Sequence, residues 1–265
     1  FSADGRWLAY YTSASGEQEE EEAYYGDPYS DRVELLDLRS GELNVFRGMA
    51  EFEFDQRGRY LALNSYGYGN EGNSLLLLDL ASGYRINFGN VTGFSWSDRT
   101  PLLALLIQTR DGNGNGVQIY QPATGRIRVL ESSPRSYQHL AWRRASYDLN
   151  VMRRAGEEEP ADLVAWRDVL QEEPRPLYFH PDSTTGFPDT LEVAGAAGLK
   201  WAEDGSKLYF GARRQPPPPD SYAAPDTTGA IDTTDAALAD SSAAPAGVWR
   251  EPSDADVQIW HSTDV

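Results

Sequence analysis

Phe54-Asp-Gln-Arg-Gly-Arg-Tyr-Leu-Ala-Leu-Asn64 is one of five versions of a single phrase. The others are Phe1-Ser-Ala-Asp-Gly-Arg-Trp-Leu-Ala-Tyr-Tyr11, Trp96-Ser-Asp-Arg-Thr-Pro-Leu-Leu-Ala-Leu-Leu106, Trp142-Arg-Arg-Ala-Ser-Tyr-Asp-Leu-Asn-Val-Met152 and Trp201-Ala-Glu-Asp-Gly-Ser-Lys-Leu-Tyr-Phe-Gly211. Each sets an aromatic before a short polar turn and an apolar strand. Gly5, Gly58 and Gly205 follow their aromatic at the same offset. A tight hairpin turn needs a residue that accepts positive φ, with Asp or Asn nearby to bond the turn backbone. The anchors lie 53, 42, 46 and 59 residues apart, near the period of about 40–50 residues of propeller blades.

Working outward, a second strand follows in every unit: 32–38, 74–80, 116–122, 161–167 and 256–262. Ser-Gly or Thr-Gly turns at 40–41, 82–83 and 124–125 come after the first three. Outer strands follow at Leu43–Arg47, Arg85–Gly89, Arg126–Leu130 and, less regularly, Leu177–His180. Each unit reads as four antiparallel strands, A to D. The expected fold is all-β: a partial β-propeller of about five four-stranded blades, over 1–50, 51–92, 93–138, 139–197 and 198–265. Helical periodicity is nearly absent, and only 164–171 could support a turn or two. A parallel α/β sheet needs a helix-length pattern between strands. A β-sandwich accounts for alternating strands but not for the period. Radial blades bury both faces, which explains strands as apolar as Leu102–Ile107.

Composition narrows the function. The chain has 265 residues, 40% of them apolar, with a net charge of −18 and no cysteine. Disulfides and thiolate chemistry are excluded. The acidity argues against a nucleic-acid partner, and no apolar run reaches the roughly 20 residues of a membrane span. The charge is concentrated. Residues 17–31 hold seven acids and no base, and residues 215–255 hold seven acids and one base. The first is an acidic loop insertion. The second, rich in Pro, Ala and Asp, is expected to be disordered. Both fall between strands B and C of their units, so both are expected on one face. Opening at Phe1 in mid-pattern, the chain is expected to be a fragment.

The candidate chemistry is sparse. His139, His180 and His261 fall in three units with no neighbouring nucleophile, and no G-x-S-x-G elbow occurs. Asp111, Asn113 and Asn115 match the first half of a calcium loop, but Pro122 stands where the closing Glu belongs. An Asn-Gly turn without metal explains the same residues. Glu51 and Glu53 precede an anchor on an inner strand; a propeller glycosidase would need another inner-strand acid in a neighbouring unit. Glu19–Glu22 and Glu157–Glu159 read as solvated loop charge. Gly67, Gly69 and Gly72 are followed by a strand, not by the helix a phosphate loop needs. Asn90-Val-Thr92 fits a glycosylation sequon. No catalytic residue, cofactor or firm metal site is expected.

The run Leu199-Lys-Trp-Ala-Glu-Asp-Gly-Ser-Lys-Leu-Tyr-Phe-Gly211, preceded by Gly186-Phe-Pro188 and followed by Asp256-Val-Gln-Ile-Trp-His261, resembles the N-terminal propeller of bacterial prolyl oligopeptidase-family serine peptidases. The aromatic–x–x–Asp–Gly element is shared with Tol-system propellers. The resemblance implies a non-catalytic propeller that gates and orients peptides for a C-terminal α/β-hydrolase domain lying beyond this chain. It also implies a periplasmic or secreted setting. No family catalytic residue maps onto this sequence, and Glu19–Glu22 do not match the glutamate pair with which some members hold a substrate amino terminus. The alternative is a stand-alone propeller that binds a partner in the cell envelope.

Overall fold

The computed structural model describes residues 1–12, 32–65, 73–156 and 160–215. Among them, seventeen strands form five antiparallel sheets. The first holds β1 (Trp7–Thr12), β2 (Arg32–Asp37) and β3 (Leu43–Arg47). The second holds β4 (Met49–Phe54), β5 (Tyr60–Ser65), β6 (Ser74–Asp79) and β7 (Arg85–Gly89). The third holds β8 (Val91–Trp96), β9 (Leu103–Ile107), β10 (Gly116–Gln121) and β11 (Arg126–Ser132). The fourth holds β12 (Ser136–Trp142), β13 (Leu149–Arg154), β14 (Asp162–Trp166) and β15 (Pro176–Phe179), and the fifth holds β16 (Leu191–Trp201) and β17 (Leu208–Arg214). Strand order in every sheet follows the chain.

The turns form for the reasons the phrase suggests. The Asp55 carboxylate accepts the backbone N–H groups of Arg57, Arg59 and Tyr60, and Gly58 closes the turn at φ 67°. Across each of the first two sheets an arginine from the first turn reaches an aspartate of the next: Arg6 to Asp37 at 2.7 Å and Arg59 to Asp79 at 3.3 Å. The Arg6 hydrogen bond, with the Arg39 N–H, lowers the Asp37 carboxyl to about 2.

Burial on both faces explains the apolar strands. Leu61, Leu63 and Leu78 pack back onto Trp7, Val33, Leu35 and Phe46 of the first sheet. Their alternate neighbours Tyr60, Ala62, Leu75 and Leu77 pack forward onto Phe94, Trp96 and Leu105 of the third. The same arrangement joins the third sheet to the fourth and the fourth to the fifth. Each fully buried Leu contributes about 1.5–3 kcal/mol. Each sheet meets the one before it through its first strand: β12 lies against β8 and β16 against β12, while β8 approaches β4, β5 and β6 alike and β4 approaches β2. The fourth strands alternate exposed with half-buried residues. Sheets close at one edge and open at the other form a fan, as propeller blades do.

The anchor aromatics act between sheets. Trp96 Nε1 donates to the Glu53 carbonyl at 3.2 Å, and Trp142 Nε1 donates to the Ser95 carbonyl at 3.1 Å. Each indole is thus fastened to the strand one sheet back. A neutral hydrogen bond of this kind contributes about 1 kcal/mol.

The second, third and fourth sheets have the expected four strands; the first has three, and the fifth has two among the described residues. Two further expectations change. Inner strands begin before their anchors, so the fourth sheet starts at Ser136 and the fifth at Leu191. Residues 164–171 are not helical: Val164 and Trp166 pair in register with Val151 and Leu149, and the only described helix is the 3-10 turn Pro181–Ser183. The acidic segment 17–31, Glu157–Glu159, Gly67, Gly69, Gly72 and all but residue 215 of 215–265 lie outside the described residues.

Candidate functional site

The first strands of the second to fifth sheets are each irregular in register. The β4–β5 ladder shifts between Met49 and Glu51, β8–β9 between Val91 and Gly93, β12–β13 between Gln138 and Ala141, and β16–β17 between Ala194 and Leu199. A bulge bends its strand and re-aims a side chain. In β12 it places His139 at φ 54°, a left-handed conformation that disfavours a residue with a Cβ.

These inner strands enclose a cleft of about 440 Å³, lined by Glu51, Thr92, Phe94, Gln108, Gln138 and His139. Glu51, Gln138 and His139 are exposed to it. Glu53 lies two residues along β4, on the same strand face as Glu51. Solvent reaches the Glu53 side chain, yet the protein around it desolvates the carboxyl and raises it, with the Glu51 charge adding to the shift. The cleft therefore offers carboxylate, amide and imidazole groups in one place. That set can hydrogen-bond peptide N–H and C=O groups and attract a cation. It does not assemble a nucleophile, base and orienting acid.

The histidine that does meet an acid is His180. Its Nδ1 lies 2.9 Å from Asp162 Oδ1, across the mouth of the β14–β15 hairpin. Asp162 also accepts from Arg135 Nη1 and Arg153 Nη2, both at 2.8 Å. Arg153 continues to Glu131 of the third sheet and lies 5.0 Å from the Tyr178 ring, which stacks on His180. Burial works to raise the Asp162 carboxyl, but the His180 and Arg153 hydrogen bonds outweigh it and hold the group below its usual range. Two guanidinium groups and an imidazole saturate this aspartate, and the Ser183 and Thr184 hydroxyls donate to the His180 carbonyl, not to its ring. The cluster is an inter-sheet ion network. The sequence carried a faint signal for it, because hairpin register sets position 162 opposite 180.

Asp111, Asn113 and Asn115 share the loop between β9 and β10. Asp111 accepts from the Asn113 N–H, the Asn113 amide and the Thr109 hydroxyl. Asn115 Oδ1 accepts from the Thr109 N–H at 2.7 Å, and its Nδ2 donates to the Arg135 carbonyl at 3.1 Å. These oxygens bond the loop itself. No group of three His, Asp or Glu side chains suited to a metal occurs among the described residues. Glu51 and Glu53 have no acid facing them from β8 or β12, while Glu192 of β16 is paired with Arg213. His261 lies outside the described residues. No helix among the described residues is long and apolar enough to cross a membrane.

No known family profile matches the sequence, and no curated protein does. Among solved structures, the β-propeller domain of the trilobed protease from Pyrococcus furiosus is similar at 12% identity and a TM-score of 0.49, over 80% of this chain and 62% of that one. A prolyl endopeptidase structure matches at 12% identity and a TM-score of 0.47, over 70% of this chain and 29% of the other. TolB from Acinetobacter baumannii matches at 10% identity and a TM-score of 0.41, over 72% and 48%. The chain thus spans less than two thirds of each. The fold assignment rests on the chain's own sheets.

Proposed function

We propose that this chain is a non-catalytic propeller that gates and orients peptide substrates for a serine peptidase domain of the prolyl oligopeptidase type, carried outside these residues. The observation that supports it is the polar inner cleft, where Glu51, Gln108, Gln138 and His139 gather. The ordered motifs at 186–188, 199–211 and 256–261 add the sequence resemblance. A passage lined by amides and acids suits an extended peptide, whose backbone offers alternating donors and acceptors and whose amino terminus is cationic. Narrow access would exclude folded proteins. The second reading, a stand-alone binding propeller of the envelope, draws on the same cleft without hydrolysis.

The product of the complete gene decides between them. It is expected to cleave short peptides and to spare folded proteins, while residues 1–265 alone cleave neither. A complete product without peptidase activity, or peptide turnover by residues 1–265 in a preparation free of contaminating peptidase, contradicts the proposal.

A further inference from the structure

The outer halves of the second and third sheets part around a cleft of about 510 Å³. Tyr60, Tyr84 and Tyr120 converge on it, and Ile86, Phe88 and Ile127 form its apolar walls. Tyr60 and Tyr120 are 5% and 4% exposed, yet neither hydroxyl has a hydrogen-bond partner among the described residues. Tyr137 shows the usual outcome at similar burial: its hydroxyl meets Ser133 Oγ at 2.7 Å. Burial raises the Tyr60 and Tyr120 phenols, and the nearness of Tyr60 and Tyr84 adds to the shift at Tyr120. Three phenols share one space, two of them fixed by the core behind them.

The next interface shows how such a space can be closed from within. There Leu102 stands six residues after its anchor, at the place of Tyr60. Arg128 stands at the place of Ile86, since it pairs with Ile119 as Ile86 pairs with Leu77. Its guanidinium crosses to the fourth sheet and donates to the Val169 and Gln171 carbonyls. At the tyrosine cleft, Arg59 instead turns back to Asp79 of its own sheet at 3.3 Å.

The cleft therefore offers hydroxyl donors and apolar walls, with its charges already paired. Asp79 is bound to Arg59 and to the turn N–H groups of Ala81 and Ser82. The Tyr60 ring stacks on Trp96 and has the Arg59 guanidinium 5.1 Å from its centroid, so a cationic ligand would meet a cation already there. A matching ligand is apolar, rich in acceptors and poor in donors. Proline has a carbonyl and no N–H, and a polyproline II strand makes no internal hydrogen bonds, which leaves its carbonyls free. We propose that this cleft docks a proline-rich segment of a partner protein in the polyproline II conformation. Its pyrrolidine rings lie against Ile86, Phe88 and Ile127, and its carbonyls accept from the Tyr60, Tyr84 and Tyr120 hydroxyls. Aromatic-lined grooves take such strands at low entropic cost, because the ligand is already extended. The site lies at the outer rim, apart from the inner cleft, and stands independently of the peptidase reading.

A capped octaproline peptide, which carries no terminal charge, is the probe, titrated into the 265-residue chain by calorimetry. Saturable binding is expected, changing less than about two-fold with salt because the ligand is neutral. Tyr120→Phe keeps the ring, deletes a hydroxyl and should weaken binding about five-fold. Tyr84 is 67% exposed, so Tyr84→Ala leaves the packing intact and should weaken binding about ten-fold. Tyr178→Phe, at a tyrosine of the fourth sheet, should leave the affinity unchanged, and a capped Gly-Ser peptide of equal length should not bind. No binding of octaproline, equal binding of the Gly-Ser peptide, or unchanged affinity in both Tyr120→Phe and Tyr84→Ala would each overturn the proposal. Binding of tetramethylammonium in place of the peptide would assign the cleft to a cation and overturn it as well.

Discussion

Trp96 and Trp142 show most directly how single residues hold neighbouring sheets together, since each indole N–H ends on a carbonyl of the preceding first strand. Replacing either with Phe keeps most of the packing and deletes the bond. A loss of about 1 kcal/mol in urea unfolding is expected for each, whereas Tyr84→Phe, at an exposed residue, should change nothing. Asp162 makes a stronger test. It is buried and accepts from His180, Arg135 and Arg153, so Asp162→Asn removes one of the two carboxylates that face the buried Arg153 and should cost about 1.5–3 kcal/mol. Its carboxyl is lowered in the folded state. Its contribution is therefore complete above the unfolded carboxylate pKa and is lost as pH falls through the lower folded value. The mutational penalty should shrink as melting is followed into acid. Glu53 behaves in the opposite sense, because desolvation raises it. Ionising it costs stability at neutral pH, so Glu53→Gln should melt at or above the parent at pH 7 and lose any advantage below the ordinary glutamate range.

The turns and strands were the most legible elements, and the reason is physical. A Gly at a positive-φ turn position, an Asp that bonds turn amides and a strand apolar on both faces are local requirements, so five repeats announced them together. Gly5 and Gly58 separate the two parts of such a requirement. Both sit at φ 67°, but a Cβ at Gly5 meets nothing, while one at Gly58 comes within 2.9 Å of Ser2 Cβ and 3.0 Å of the Ala3 nitrogen. Gly5→Ala should cost about 1–2 kcal/mol from backbone strain alone, and Gly58→Ala about 1–3 kcal/mol more from overpacking. Thermal unfolding of the two variants measures the difference. What the sequence hid were relations across sheets. The phrase at Trp142 contains no glycine, and Ala145 takes φ 53° there with its N–H bonded to Asp98 of the previous turn. The bulge that turns His139 towards Glu51 and Gln138 leaves no trace in the alternation of β12. In the loop of Asp111, Asn113 and Asn115, the hydrogen bonds made by its own oxygens predict that millimolar calcium leaves the melting temperature unchanged. A rise would assign the site to the metal.

For the whole molecule, the outward face of the first sheet is informative. Leu43 and Val45 are about half exposed, and Phe1 is 80% exposed. Apolar surface of this kind favours association, so the 265-residue chain should sediment as oligomers whose proportion rises with concentration. A monomer at all concentrations would show that this face is adequately covered. The acidic segments 17–31 and 215–255 together hold fourteen acids and one base. The salt dependence of binding to cationic peptides should weaken when both are removed, if that charge steers ligands. All of this depends on the fan itself, which spectroscopic distances between paired spin labels test most directly in a chain without cysteine. Labels on the first strands of the second and fourth sheets, at Glu51→Cys and Gln138→Cys, should lie clearly closer than labels at the outer edges of the same sheets, at Asn87→Cys and Arg175→Cys. Equal separations at both edges would mean stacked layers, and would contradict the propeller.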